Sequence, residues 1–394
     1  MVEFCASAGP SLGVEVELGI VDEESGALVC IAPEILARVG EGHPELEHPK
    51  IKKELYQCTV EVITGVCTTV AEARADLAQS IREVQMAAER SDAGVIGAGL
   101  HPFTPWSDLA ISEGERYQRL VDTIAWPARR LTTHGVHVHV GVRSGDKAVA
   151  AVNALSGYLP IFLALSAASP YWNGQDTGLA STRTKIFEAM PTTGLPPHLR
   201  DWDEFNVFLD TLIEAGAVET VREVWWDIRP HPGYGTVELR MCDSMPTLWE
   251  IAAIAALAQS LVTEFDRIMD AGGLPVVPRE WVRRENKWRA ARWGVEADLV
   301  IDDAGHTRPL REVVDELVDR LLPIAKELGC AAELADLRRI AAEGPSYVRQ
   351  RAIVAEGGDL SDVVRALRGE LADAVAAEGP GGAAKPPPSG FATP

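Results

Sequence analysis

The stretch SLGVEVELGIVD, residues 11–22, alternates with a period of two: Val14, Val16, Leu18 and Ile20 fall on one face, Glu15, Glu17 and Gly19 on the other. This is the pattern of a strand that buries a single face. Two carboxylates side by side repel, so adjacency gains nothing on a solvated face. A hard divalent cation reverses that sign, and carboxylate pairs often mark Mg²⁺ or Mn²⁺ sites. Taken alone, the pair still reads as a solvated strand face.

On either side the same anomaly repeats. Residues 58–66 (CTVEVITGV) form a second alternating strand, with Glu61 between Val60 and Val62. Glu54 lies just upstream in Lys52-Lys53-Glu54-Leu55, where a nearby lysine is its ordinary partner. Residues 136–142 (VHVHVGV) set His137, His139 and Gly141 opposite the valines. An HxH pair alone is equally a pair of satisfied core histidines or a zinc motif. Glu238 and Arg240 alternate with Val237, Leu239 and Met241. Three strands thus carry ExE, HxH and ExR on the face opposite their apolar residues. Solvated faces favour Lys, Thr and Ser; recurring Glu and His with one arginine predict a concave, charged face that holds metals. Oxygen donors dominate and no cysteine cluster accompanies them, which favours Mg²⁺ or Mn²⁺ over Zn²⁺. Such ions clamp phosphates.

The remaining chain frames this face. Helical spacing marks residues 69–90, 146–169, 247–271, 281–293 and 310–328, with further helices to residue 375. Strands are expected near 222–228 and 235–241, joined by RPHPGY (229–234). Residues 171–200 are rich in Gly, Pro, Thr and Asn; a long irregular segment inside a compact domain is functional or disordered. Strands interleaved with helices and then followed by helices predict an α+β fold. A single catalytic domain is expected over 1–377, mostly helical towards its C-terminal end, with 378–394 (EGPGGAAKPPPSGFATP) as a mobile tail.

The 394 residues carry 37 Lys plus Arg against 58 Asp plus Glu, a formal charge of −21. That excludes a nucleic-acid-coating protein, which needs a basic footprint, although not a nucleotide substrate bridged through metal. No run approaches the roughly 20 uninterrupted apolar residues of a membrane span, and Met1-Val2-Glu3-Phe4-Cys5 lacks the basic-then-apolar pattern of a secretory signal. Six scattered cysteines with no CxxC pair read as reduced thiols in the cytoplasm. A homo-oligomer is compatible with the sequence, which displays no interface.

The ordered set GVEVEL (13–18), KKELYQCTVEVITG (52–65), GVHVHVG (135–141), SPYWNGQDTGLASTRT (169–184), WWDIRPHPGYGTVELRMCD (225–243) and ENKWRAARWG (285–294) closely resembles the bacterial carboxylate–amine ligases of the glutamate–cysteine ligase type 2 family. These are similar to glutamine synthetase in their catalytic sheet. The resemblance, over roughly residues 10–375, implies a curved antiparallel sheet with helices behind it, ATP in the groove, and Mg²⁺ or Mn²⁺ between the phosphates. By position it implies Glu17, Glu54 and Glu61 as ligands of one metal and Glu15, His137 and Glu238 as ligands of another, with Glu15 and Glu17 exchangeable. His139 would approach the nucleotide phosphates and Arg240 the transferred γ-phosphoryl group. The implied substrates are small molecules: an acid, first the γ-carboxylate of glutamate, and an amine, cysteine or a related amino acid. The family often reads GVEEE where Val16 stands here; its side chain points to the other face, so the pair should survive.

Other residues divide between chemistry and packing. Arg183 and Arg229 are candidates for holding the acid or phosphate, against readings as a loop arginine and a turn cap. His231, Trp225 and Trp226 read as structural, and Asn286, Lys287 and Arg289 as an exposed polar helix face. Asp176 and Thr177 are candidates for shaping the acid pocket. Cys242, directed by alternation away from Met241's face and without a base partner, reads as a buried thiol. No GxxxxGK[ST] is present, which disfavours a P-loop kinase. Two alternatives remain at this point: a metal-dependent hydrolase using the HxH and Glu cluster, and a catalytically silent protein of the same fold.

Overall fold

The computed structural model describes residues 2–379, so the tail expected at 378–394 lies almost wholly outside the described residues. Strands β1 (Leu12–Asp22), β2 (Ile51–Lys53), β3 (Thr59–Ile63), β4 (Ala93–Ile96) and β5 (Gly135–Gly141) are interleaved with helices α1 (Ala32–Gly40), α2 (Val70–Glu89), α3 (Glu115–Ile124) and α4 (Gly145–Ser166). The two-residue strands β6 (Tyr171–Trp172) and β7 (Gln175–Asp176) and helices α5 (Arg183–Phe187) and α6 (Trp202–Glu214) lead to a hairpin of β8 (Ile228–His231) and β9 (Thr236–Asp243). Then come α7 (Leu248–Asp270), α8 (Glu280–Trp293), a small hairpin of β10 (Asp298–Val300) and β11 (Thr307–Pro309), and helices α9 (Leu310–Leu328), α10 (Ala331–Glu343), α11 (Ser346–Ala355) and α12 (Leu360–Ala377).

Seven strands make one antiparallel sheet in the order β2-β3-β1-β5-β9-β8, with β4 paired to the second half of β1. The alternation read from residues 11–22 holds: Val14, Val16, Leu18 and Ile20 are buried on the side that packs against helices. The valines of β5 and Val237 and Leu239 of β9 join them, and α2, α4 and α7 cover this side. Both α4 and α7 are long and apolar enough to cross a membrane, and both are buried inside the protein. Thr69 starts α2 with a capping box, its hydroxyl accepting from Glu72 N while Glu72 returns a bond to the Thr69 N–H.

Three expectations need correction. The strand expected at 222–228 begins only at Ile228, with Val221–Glu223 in a short 3₁₀ turn; Pro230, read as part of the connecting turn, lies within β8. The sheet tolerates it because β8 is an edge strand, where a missing N–H costs no ladder bond. A bulge between Val136 and Val138 shifts the β5–β9 register, pairing Val136 with Cys242 but Val138 with Leu239. Simple alternation therefore fails past Arg240, and Cys242 turns into the core beside Met241, where burial pushes its thiol up to about 12. It is a buried thiol, on the opposite face from the one expected. Finally, Asn286 and Lys287 are buried: Asn286 exchanges hydrogen bonds of 2.8 Å with Val300, and Lys287 pairs with Asp227 at 2.6 Å and Glu188 at 2.7 Å.

Residues 171–200 are largely irregular, as expected, but firmly anchored. Buried Asp243 at the end of β9 accepts from Ala168 N at 2.8 Å, Ser169 Oγ at 2.6 Å and Ser181 Oγ at 2.9 Å.

Candidate active site

The sheet face opposite the helical core floors a cavity of about 1020 Å³. Directly opposed residues of an antiparallel pair share a face, so the register alone assembles the floor. Lys52 faces Glu61, Glu61 faces Glu17, Glu15 faces His137, and Glu238 lies between His139 and Arg229. Every one of these side chains lines the cavity, as do Glu54 and Arg240. Helix α3 and the segments around Met190 and Trp225 form walls.

Three sets of ligand atoms converge, each within 4.8 Å: Glu17, Glu54 and Glu61; Glu15, Glu61 and His137; and Glu15, His139 and Glu238. The first is the grouping that the family resemblance implies. The second metal set expected, Glu15 with His137 and Glu238, is divided between the other two. Across the β5–β9 pair it is His139, not His137, that stands opposite Glu238.

Hydrogen bonds hold the groups in place. Glu15 receives His137 Nδ1 at 2.9 Å on one oxygen and lies 3.2 Å from His139 Nε2 on the other. Glu17 accepts the Gly135 N–H at 2.5 Å and Glu54 the Leu55 N–H at 3.0 Å. Arg229 donates Nε to Glu238 at 2.6 Å and Nη2 at 3.3 Å, and Arg240 Nη1 grips the same carboxylate.

These contacts split the carboxylates into two electrostatic classes. Burial would raise Glu238, but the Arg229 and Arg240 charges hold it well below the usual carboxylate range. Burial opposes ionisation of Glu15 too, and the His139 charge and the His137 hydrogen bond overcome it. Glu54, with the Leu55 N–H and the Arg116 charge, and Glu61, with the Arg240 charge, have too little support to offset their surroundings. Burial and then the Glu17 charge push Glu54 up to about 7, and burial with the Glu15, Glu54 and Glu17 charges drives Glu61 well above its ordinary value. A cluster that cannot fully ionise by itself is one that a cation completes.

Of the remaining candidates, Arg183 does not line the cavity. It is buried behind β9, with Nη1 and Nη2 each 3.3 Å from the Arg240 carbonyl oxygen, and a Cβ at Gly135 would overlap its guanidinium. That contact supports the Arg240 backbone rather than a ligand. Asp176 pairs with Arg351 at 2.6 Å, and Thr177 bonds Pro170 and Thr182; neither lines the cavity. His231, read as structural, does line it, its ring stacked on Tyr234 with centroids 3.9 Å apart. Its alternation with Arg229 on β8 was the available signal. Arg116, Tyr117 and Leu120 of α3 gave none, because nothing in a short amphipathic helix says which surface it roofs.

An antiparallel sheet that presents carboxylates and imidazoles to a large cavity, backed by a helical core, joins here with a family match over most of the chain, and the match gives the class: an ATP-dependent carboxylate–amine ligase. The profile of the glutamate–cysteine ligase family 2 (GCS2) matches residues 11–366. A Frankia casuarinae protein provisionally named glutamate–cysteine ligase 2-1 is 50% identical over 375 residues, covering 94% of this chain and 97% of its own. A Gloeobacter violaceus protein provisionally named glutamate–cysteine ligase 2 is 40% identical over 371 residues, covering 94% and 99%. The chain belongs to glutamate–cysteine ligase family 2. Its fold is shared by the glutamate–cysteine ligase of Francisella tularensis solved with AMP (TM-score 0.65, 13% identity, 95% of each chain). It is also shared by 52% of the bifunctional glutathione synthetase chain of Pasteurella multocida (TM-score 0.66, 14% identity, 93% of this chain).

Proposed function

We propose that the protein uses ATP to join the γ-carboxylate of glutamate to an amine, cysteine or a related amino acid, through an acyl phosphate. The observation that supports this most is the convergence of Glu15, Glu17, Glu54, Glu61, His137, His139 and Glu238 on one face of a cavity large enough for both substrates and a nucleotide. The names of the family and its relatives, and the AMP bound by the Francisella protein, support the choice of reaction and nucleotide. Nothing in the family favours the hydrolase alternative. The free thiols at all six cysteines are consistent with a cytoplasmic location.

Ions of the Mg²⁺ or Mn²⁺ kind fit the donor set, which is rich in oxygen and underionised as it stands. Glu17, Glu54 and Glu61 would hold one, and Glu15 and Glu238 with His137 or His139 another. Bound there, such ions would offset the repulsion between a triphosphate and a carboxylate.

A carboxylate is a poor electrophile because its oxygen is a poor leaving group. Attack of its oxygen on the γ-phosphorus of ATP forms an acyl phosphate and releases ADP. The amine nitrogen then attacks the acyl carbon, inorganic phosphate departs, and the nitrogen loses its proton. The protein's task is to position charges and stabilise those that develop. Arg240 faces the cavity with its Nε unpartnered and is the residue for the phosphoryl group in transfer. Glu238 and the carbonyl contact of Arg183 fix its position. His139, hydrogen-bonded to Thr236 at 3.0 Å, lines the cavity and would approach the phosphates. Arg229 orients Glu238.

The test is ADP and phosphate release with ATP, Mg²⁺ and a panel of acids and amines, with product mass by mass spectrometry. Glutamate- and amine-dependent ADP formation is expected, with one amide per ADP. No ADP from any combination would contradict the assignment.

A further inference from the structure

Seven lysines and arginines line the cavity, and five are engaged. Lys53 caps the Glu113 carbonyl at 3.4 Å and lies over the Tyr117 ring; Arg119 bridges to Glu219 and Glu223; Arg229 and Arg240 hold Glu238; Arg116 has a partner as well. Two have no side-chain hydrogen bond or ion pair among the described residues: Lys52 and Arg222. Lys52 stands opposite Glu61 across the β2–β3 pair. Arg222 is different. It sits half-buried on the far wall, beyond the β8 edge, with Trp225 and Tyr234.

Its position is built. Arg229 donates from Nη1 to the carbonyls of Val221 at 3.2 Å, Arg222 at 2.9 Å and Val224 at 3.0 Å, while its Nε and Nη2 hold Glu238. One guanidinium therefore rivets the 3₁₀ turn that carries Arg222 to the carboxylate of the floor. A preorganised turn lowers the ordering cost of binding. The side chain it presents is a planar fork of donors with no hydrogen-bond acceptor among the described residues, and its best complement is a carboxylate taken bidentately.

We propose that Arg222 is a specificity-determining residue that binds a substrate carboxylate remote from the bond being made. This rests on the reading that both substrates are amino acids, each of which brings an α-carboxylate. Arg229 then acts as a positioning residue through Arg222 and Glu238, with little of its guanidinium left for substrate.

The experiment compares the wild type with Arg222→Gln and Arg222→Lys, each with Mg²⁺ and a non-hydrolysable ATP analogue. Calorimetry measures binding of two pairs of ligands: glutamate against γ-aminobutyrate, and cysteine against cysteamine, the second of each pair lacking the α-carboxylate. The wild type should prefer the carboxylate-bearing member of at least one pair by about 10- to 100-fold, the worth of a charge-assisted hydrogen bond. Arg222→Gln should erase that preference and Arg222→Lys restore part of it, with thermal unfolding unchanged in both. The pair affected identifies donor or acceptor. Unaltered preferences in Arg222→Gln, or weakened nucleotide binding alone, would overturn the proposal. Because binding is read rather than turnover, the two readings fail separately. A wild type that makes no ADP yet shows an Arg222-dependent preference contradicts the ligase reading only. Normal turnover with unmoved preferences contradicts only the role of Arg222.

Discussion

Glu17 and Glu61 stand directly opposite each other across the β1–β3 pair, two carboxylates in register on one face of the sheet. Glu54 joins them, the three offering oxygens within 4.8 Å of one another. Opposed like charges destabilise a sheet unless a proton or a cation intervenes. Without a cation, the proton does this, and Glu54 sits near 7.

The sign of the pH dependence follows. Glu54 retains in the folded chain a proton that the unfolded chain releases around its ordinary value of 4.5. Its contribution to stability is full below that value and is lost as pH rises to about 7. Cation binding needs the ionised form, so affinity for Mn²⁺ or Mg²⁺ should climb through the same window with release of protons. Thermal unfolding in EDTA and in saturating Mn²⁺ checks this. The gain from metal should grow with pH, and a pH-independent gain would show that these carboxylates do not hold the ion.

Glu61→Gln keeps the shape and removes a charge. Without metal the variant should unfold at the same or a higher temperature than the wild type, by up to about 1 kcal/mol of relieved repulsion. Activity should fall by about 100-fold or more, since charge placed for the reaction is lost. Stability and activity moving in opposite directions is the signature of a functional cluster; a variant that loses both together would mark Glu61 as structural.

Arg229→Met removes the partner that faces Glu238 and the donor to three carbonyls of the adjoining turn. A buried carboxylate stripped of a partner costs about 3–5 kcal/mol, which chemical denaturation would measure. A loss below about 1 kcal/mol would mean that Arg240 suffices to hold Glu238.

Lys287→Met breaks a buried pair with Asp227 and Glu188 away from the cavity lining. Stability should drop by a similar 3–5 kcal/mol, while the KM values for ATP, acid and amine stay within about twofold, since no substrate is touched. Shifted KM values would return Lys287 to the site.

The sheet face was readable from sequence because strand alternation is a short-range property: Glu15, Glu17, Glu61, His137, His139 and Glu238 each declare their face through their immediate neighbours. Which ligands meet was less readable. The β5–β9 register sets Glu238 opposite His139 rather than His137, and a bulge in the same pair turned Cys242 into the core; both depend on pairing between segments about a hundred residues apart in the chain. Roles that depend on tertiary packing were misread or left open for the same reason. Lys287 reads as an exposed polar residue on a helix until its acidic partners fold against it, and Arg183 reads as a loop arginine until the Arg240 carbonyl is seen beneath it. Arg222 left no signal, because its position comes from Arg229 closing on a turn.

The most direct measurement of the central claim is a titration of the metal-free protein with Mn²⁺ at about pH 8, with free ion read by electron paramagnetic resonance, in the wild type, Glu61→Gln and Glu238→Gln. Stoichiometric binding of at least one ion per chain is expected in the wild type and a marked loss of affinity in both variants. Absence of stoichiometric binding, or variants that bind as the wild type does, would contradict the account.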